Sequence, residues 1–107
     1  MLVDHRTYRC KPGRLQAQLD LYEKYGFPVQ VRHLGQPIAF LASESGELNT
    51  MVHLWAYEDA ADRARKRAAM MADPDWPVFL RESAQGEYVL EQRTNLMVPV
   101  NFAPLKR

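Results

Sequence analysis

At 107 residues, 47% hydrophobic and 25% charged, the chain has the size and composition of one globular domain (residues 1–107) with a modest core. A formal charge of +1 argues against nucleic acid or an anionic membrane surface as a partner. Cys10 stands alone, so no internal disulfide can form, and one thiol among scattered histidines makes no metal framework.

Leu2 to Arg9 alternates as a strand, with Asp4, Arg6 and Tyr8 on one side and Val3, His5 and Thr7 on the other; Lys11-Pro12-Gly13 stops it. Gly13 to Tyr25 reads as a helix on Leu15, Leu19 and Tyr22, ended by Gly26 and Pro28. Residues 27–35 then read as a partly extended connection. Gln36 to Ser43 holds a short apolar run that fits a central strand, and Ser45-Gly46-Glu47 a hairpin turn with Gly46 free for positive φ. In the strand 49–57, Met51, His53, Trp55 and Tyr57 share one face. Asp59 is the expected N-cap of the next helix, with Ala61, Ala64, Ala68 and Met71 as its buried stripe. Asp73-Pro74 breaks that helix, Asp75 to Ser83 adds a turn or two, and Glu87 to Leu96 is the last strand.

The order strand, helix, strand, strand, helix, strand predicts an α+β, ferredoxin-like fold: a four-stranded antiparallel sheet with the helices on one face. The other face would be bare, carrying Tyr8, Phe40 or Leu41, Met51 and Trp55. Each large apolar side chain left in water forfeits ~1.5–3 kcal/mol. A homodimer packed through the sheet face is therefore expected. No apolar run approaches the ~18 residues of a membrane span. Asp4 and Arg6 sit where a signal peptide would be apolar, so a reduced, cytoplasmic setting is expected.

The ordered set Asp4-His5-Arg6-Thr7-Tyr8 with Pro12-Gly13, Ser43 to Asn49, His53-Leu54-Trp55-Ala56-Tyr57, Arg63 and Arg67, and Asp75-Trp76-Pro77-Val78-Phe79 resembles the NIPSNAP family of the dimeric α+β barrel superfamily. The family opening usually reads Glu-Leu-Arg-Thr-Tyr, so Asp4 is a conservative departure and His5 a polar one at an apolar position. The resemblance implies the ferredoxin-like subunit and its dimer, forming a dimeric α+β barrel. It implies less about chemistry, because the superfamily spans cofactor-free monooxygenases, haem-degrading enzymes and small isomerases.

Asp4, Arg6 and Tyr8 on the first strand and His53 and Trp55 on the third would converge if those strands are adjacent. Such a set suits an anionic or carbonyl-bearing aromatic ligand, with Arg6 pairing the charge and Trp55 stacking. His53 would shuttle a proton near neutral pH unless desolvation holds it neutral, and a haem ligand would require it to aim into the cavity. The same residues also fit a structural Asp4–Arg6 ion pair and a Trp55 in the dimer core. Arg63 and Arg67 read mainly as a solvated face paired with Asp59 or Asp62. Trp76 and Phe79 read as helix packing, and His33 as an exposed loop residue.

Three readings result. The first is a homodimer binding a small organic ligand, with no cofactor, lined by Asp4, Arg6, Tyr8, His53 and Trp55. The second is a cofactor-independent monooxygenase or isomerase with His53 and Arg6 as catalytic groups. The third is a non-catalytic interaction module whose aromatic face is only a dimer interface.

Overall fold

The computed structural model describes residues 1–106. Its elements are β1 (Leu2–Cys10), α1 (Leu15–Leu21), a π-helical turn (Tyr22–Gly26), α2 (Phe27–Leu34), β2 (Ala39–Ala42), β3 (Thr50–Tyr57), α3 (Ala60–Ala72), α4 (Asp75–Gly86) and β4 (Val89–Met97). The four strands form one antiparallel sheet in the order β2-β3-β1-β4, so β1 and β3 lie at the centre as the ferredoxin-like reading requires. Register pairs Asp4 with Trp55, Arg6 with His53 and Tyr8 with Met51, and sets Phe40 beside His53 from the other side. Facing residues of an antiparallel pair share a face. All of these side chains therefore point the same way. Among the described residues, no helix is long and apolar enough to cross a membrane.

That shared face is the one the helices cover, which corrects the expectation for the bare face. Met51, His53, Trp55 and Tyr57 are buried. Trp55 and Tyr57 join Val29, Leu34 and Met70 in a core cluster against which Phe27 and Trp76 pack. The bare face instead carries Val3, His5, Thr7, Val52 and Leu54, with Leu41 from β2 and Met97 from β4. Its aromatic content is gone, and with it the aromatic dimer interface of the third reading. At one end of this face Pro104 and Leu105 share a hollow with Val3, Leu54 and Met97.

The segment 27–34 is helix, not connection. Gly26 does not cap a helix end; a Cβ there would lie 2.8 Å from the Phe79 ring, so its role is close approach between two helices. Pro28 sits in the first turn of α2, directly after the π-helical turn that precedes it. The true stop is Gly35, with φ +80 and its N–H donating to the Val31 carbonyl. Gly46 does take positive φ in the β2–β3 connection.

Asp59 caps α3, accepting from the Asp62 N–H at 2.8 Å. The stripe expected to be buried on that helix faces outward: Ala61, Ala64 and Ala68 are exposed, and Met71 is half exposed at the rim of a cavity. The inward stripe is Arg63, Arg67 and Met70. Guanidinium stems can cover apolar surface while their heads find polar partners. Here a buried carboxylate supplies one. The helix after Asp73-Pro74 is longer than a turn or two, running 12 residues to Gly86.

Candidate functional site

β1 builds the charged floor of the site. Asp4 is fully buried, and its two carboxylate oxygens accept from Arg6 Nε at 3.1 Å and from Arg63 Nε at 3.0 Å. Arg6 also donates through Nη1 to the Tyr8 hydroxyl oxygen at 3.3 Å, which leaves the hydroxyl proton free for another acceptor. Burial works against the Arg6 charge, but Tyr8 and Asp4 more than offset this and hold its pKa above the ordinary value. Arg67, one helical turn beyond Arg63, forms part of the cavity wall. Burial, then Arg6 and Arg63, pull its pKa down. Two guanidiniums thus share one carboxylate with a third nearby, and the excess is positive.

The His53 imidazole lies in a stack of three rings. Phe40 lies against one side, with centroids 4.6 Å apart and planes 12° from parallel, and Tyr8 against the other at 5.1 Å and 14°. The Trp55 indole N–H donates to His53 Nδ1 at 2.6 Å. An indole nitrogen only donates, so Nδ1 is the acceptor and the ring proton sits on Nε2. Burial, reinforced by Arg6 and opposed by Asp4, lowers the His53 pKa to about 3. At that value the ring is neutral at physiological pH, the desolvated case to which the proton-shuttle expectation does not extend. Iron ligation fits no better: it would need the lone pair on Nε2, whereas the usual outer partner of a metal-bound histidine accepts from its far nitrogen rather than donating to it.

These side chains open onto a cavity of 310 Å³ between sheet and helices, at the small end of the ~300–1,000 Å³ range of ligand sites. Arg6, Tyr8 and His53 line it from the sheet. Gln18, Tyr22 and Gln30 line it from the α1–α2 helical run. All three are buried, and the Gln18 Oε1, Tyr22 hydroxyl and Gln30 Oε1 atoms have no hydrogen-bond partner among the described residues. Burial raises the Tyr22 pKa, so that hydroxyl stays protonated. From α4, Trp76 and Phe79 add ring surface, their centroids 5.0 Å apart. Among the described residues no group of three His, Cys, Asp or Glu could hold a metal ion.

Of the five residues expected to line a site, Arg6, Tyr8 and His53 reach the cavity. Asp4 and Trp55 stand behind them and hold Arg6 and His53 in place. Arg63 and Arg67 are not paired with Asp59 or Asp62; Asp62 instead pairs with Arg65 and Lys66. Trp76 and Phe79 both pack and line the cavity. His33 is in the last turn of α2, its Nε2 2.8 Å from Asp73 Oδ2, and forms no part of the cavity. Cys10 is buried, which raises its thiol pKa. The sequence reading missed Gln18, Tyr22 and Gln30 as site residues. The signal was their spacing: 18, 22, 26 and 30 are four apart, one face of a helix that does not stop at Gly26.

Fold and site together define a ferredoxin-like α+β subunit with a cationic, donor-rich cavity under its helices. The chain belongs to the NIPSNAP family, whose model matches residues 3–104. It is 34% identical over 97 residues to a NipSnap homolog of Dictyostelium discoideum, and 39% identical over 102 residues to human NipSnap homolog 3B. These matches cover 91% and 94% of this chain but only 42% and 40% of the relatives, so the chain spans well under half the length of each. Among solved structures, a NIPSNAP family protein with unknown function from Agrobacterium tumefaciens superposes with a TM-score of 0.88 at 38% identity, covering 99% of this chain and 94% of that one. An uncharacterized NIPSNAP domain protein from Burkholderia xenovorans gives 0.87 at 33%, covering 97% and 99%. A putative antibiotic biosynthesis monooxygenase from Nitrosomonas europaea, with a TM-score of 0.66 at 14% identity over 94% of this chain and 99% of that one, shares the fold alone.

Proposed function

We propose that this NIPSNAP domain binds a small organic acid or carbonyl compound in the cavity between its sheet and its helices, acting as a homodimer in a reduced, cytoplasmic setting. The observation that carries the reading is the imbalance at the floor: Arg6 and Arg63 share the one carboxylate of Asp4, and Arg67 adds a third cation close enough for their charges to lower its pKa. A part-buried positive excess is relieved by an anion. Around Arg6 stand three further donors, namely the Tyr8 and Tyr22 hydroxyls and the Nε2–H of His53. A carboxylate or polarised carbonyl oxygen matches that set, and Trp76 and Phe79 suit an aromatic or aliphatic body.

Isothermal titration with benzoate and phenylacetate tests the reading. Saturable binding is expected, weakened at least about tenfold in Arg6→Gln and in Arg67→Gln, as for loss of a charge-assisted bond. Binding of neither acid by the folded protein would refute it.

The homodimer is supported by the exposed Leu41 and Met97 on the uncovered sheet face, next to Val52 and Leu54. Native mass spectrometry of freshly purified protein reports assembly and any retained organic mass in one spectrum. A monomer at micromolar concentration would rule the dimer out.

A second reading, turnover through an enolate-like anion, draws on the same donors, with Arg6 stabilising the anion. His53 would then donate a hydrogen bond rather than carry a proton, because Nδ1 is occupied and Nε2 already protonated. In His53→Gln, loss of turnover with ligand affinity intact would favour this reading over binding alone.

A further inference from the structure

We infer that the acid held in this cavity also carries a hydrogen-bond donor, an N–H or O–H group, which is read by the side-chain carbonyls of Gln18 and Gln30. The inference rests on the reading of the cavity as an acid-binding site and adds the second half of the ligand.

The cavity offers both donors and acceptors. The sheet brings donors: Arg6, the Tyr8 hydroxyl and the Nε2–H of His53. The helices bring Arg67 and the Tyr22 hydroxyl, and with them two acceptors. Gln18 and Gln30 are 2% and 4% exposed, both line the cavity, and the Oε1 of each has no partner among the described residues. Gln18 is also tethered to α4, its Nε2 donating to Ser83 Oγ at 3.4 Å. Buried polar atoms are paired in all but a few cases, and each exception calls for a reason. Two unpaired acceptors in the wall of one cavity are better explained by what enters it than by packing, because leucine or methionine would fill the same volume without an unpaired oxygen. An acid alone satisfies the donors and leaves both carbonyls unpaired. A ligand with its anionic oxygen toward Arg6 and an N–H or O–H toward Gln18 and Gln30 satisfies both.

Matched pairs of acids test this on the full chain by isothermal titration. N-benzoylglycine is compared with N-benzoylsarcosine, in which the amide N–H is methylated, and 4-hydroxyphenylacetate with 4-methoxyphenylacetate. The donor-bearing member of at least one pair should bind at least about tenfold tighter, since a site built to bond a donor rejects the analogue that lacks it. The pair that discriminates identifies the donor as N–H or O–H. Gln18→Met and Gln30→Met separate hydrogen bonding from the bulk of the added methyl group: in at least one variant the preference should fall toward one, while both variants keep or raise their Tm. Equal affinities within both pairs would overturn the inference and leave acid binding standing, as would a preference unchanged in both variants. If none of the four acids binds, the acid-binding reading fails with it.

Discussion

Trp55 donates its indole N–H to Nδ1 of His53 from two residues along the same strand, at 2.6 Å, so the histidine of the cavity wall carries its proton on Nε2. The bond exists because β3 alternates: residues two apart point to the same face, and both rings are buried there. In Trp55→Phe the nitrogen loses its donor. Side-chain ¹⁵N spectra should show one neutral tautomer in the parent protein and a mixture in the variant. Unfolding should cost about 1–3 kcal/mol less than in the parent, the range for a buried acceptor left unpaired.

The lowered His53 pKa has a definite pH signature. The folded value is about 3 and the ordinary value 6.5, so the unfolded chain takes up the proton first. Its contribution to stability is complete above pH 6.5 and is lost progressively as pH falls toward 3. By pH 5 the loss from this group reaches about 2 kcal/mol. Urea titrations between pH 7 and 5 should show that decline, and His53→Gln should flatten it.

Removing the single anion from the arginine cluster should be costly. Asp4→Asn leaves the part-buried Arg6 and Arg63 without the fully buried carboxylate that they share. Breaking a buried ion pair by changing one member typically costs about 3–5 kcal/mol. The denaturation midpoint should drop accordingly, and it should partly recover in millimolar benzoate if the cavity takes an anion in place of the lost carboxylate.

Gly26 tests the continuity of the helical run. A methyl there meets Phe79 at 2.8 Å, so Gly26→Ala should destabilise by about 1–3 kcal/mol through overpacking. Gly26→Ala with Phe79→Leu should recover part of that loss. Were residue 26 an open helix end, alanine would be tolerated without compensation.

The two ladders were legible in the chain because strand periodicity is local: Asp4, Arg6 and Tyr8 must share a face, and so must Met51, His53 and Trp55. Whether those faces looked toward the helices or away was not legible, since either parity satisfies the alternation. The inward turn of Arg63 and Arg67 escaped the pattern for a related reason. An amphipathic reading turns apolar residues inward, and nothing near α3 in sequence reveals a buried carboxylate on β1. Gln18 and Gln30 were hidden by Gly26 and Pro28, which usually end a helix and here accommodate a ring of α4 and a π-helical turn.

Taken alone, the sequence determined the ferredoxin-like order of elements, because hydrophobic period, capping residues and turn residues are written within a few positions of where they act. Its ordered motifs carried the resemblance to the family. The strand 36–43, read as central, lies at the sheet edge. The tertiary structure decided which sheet face is covered and which cations meet Asp4. It also decided which polar atoms are left unpaired around the cavity. Those outcomes depend on packing between elements tens of residues apart, where burial and electrostatics are properties of the assembled layers rather than of any segment.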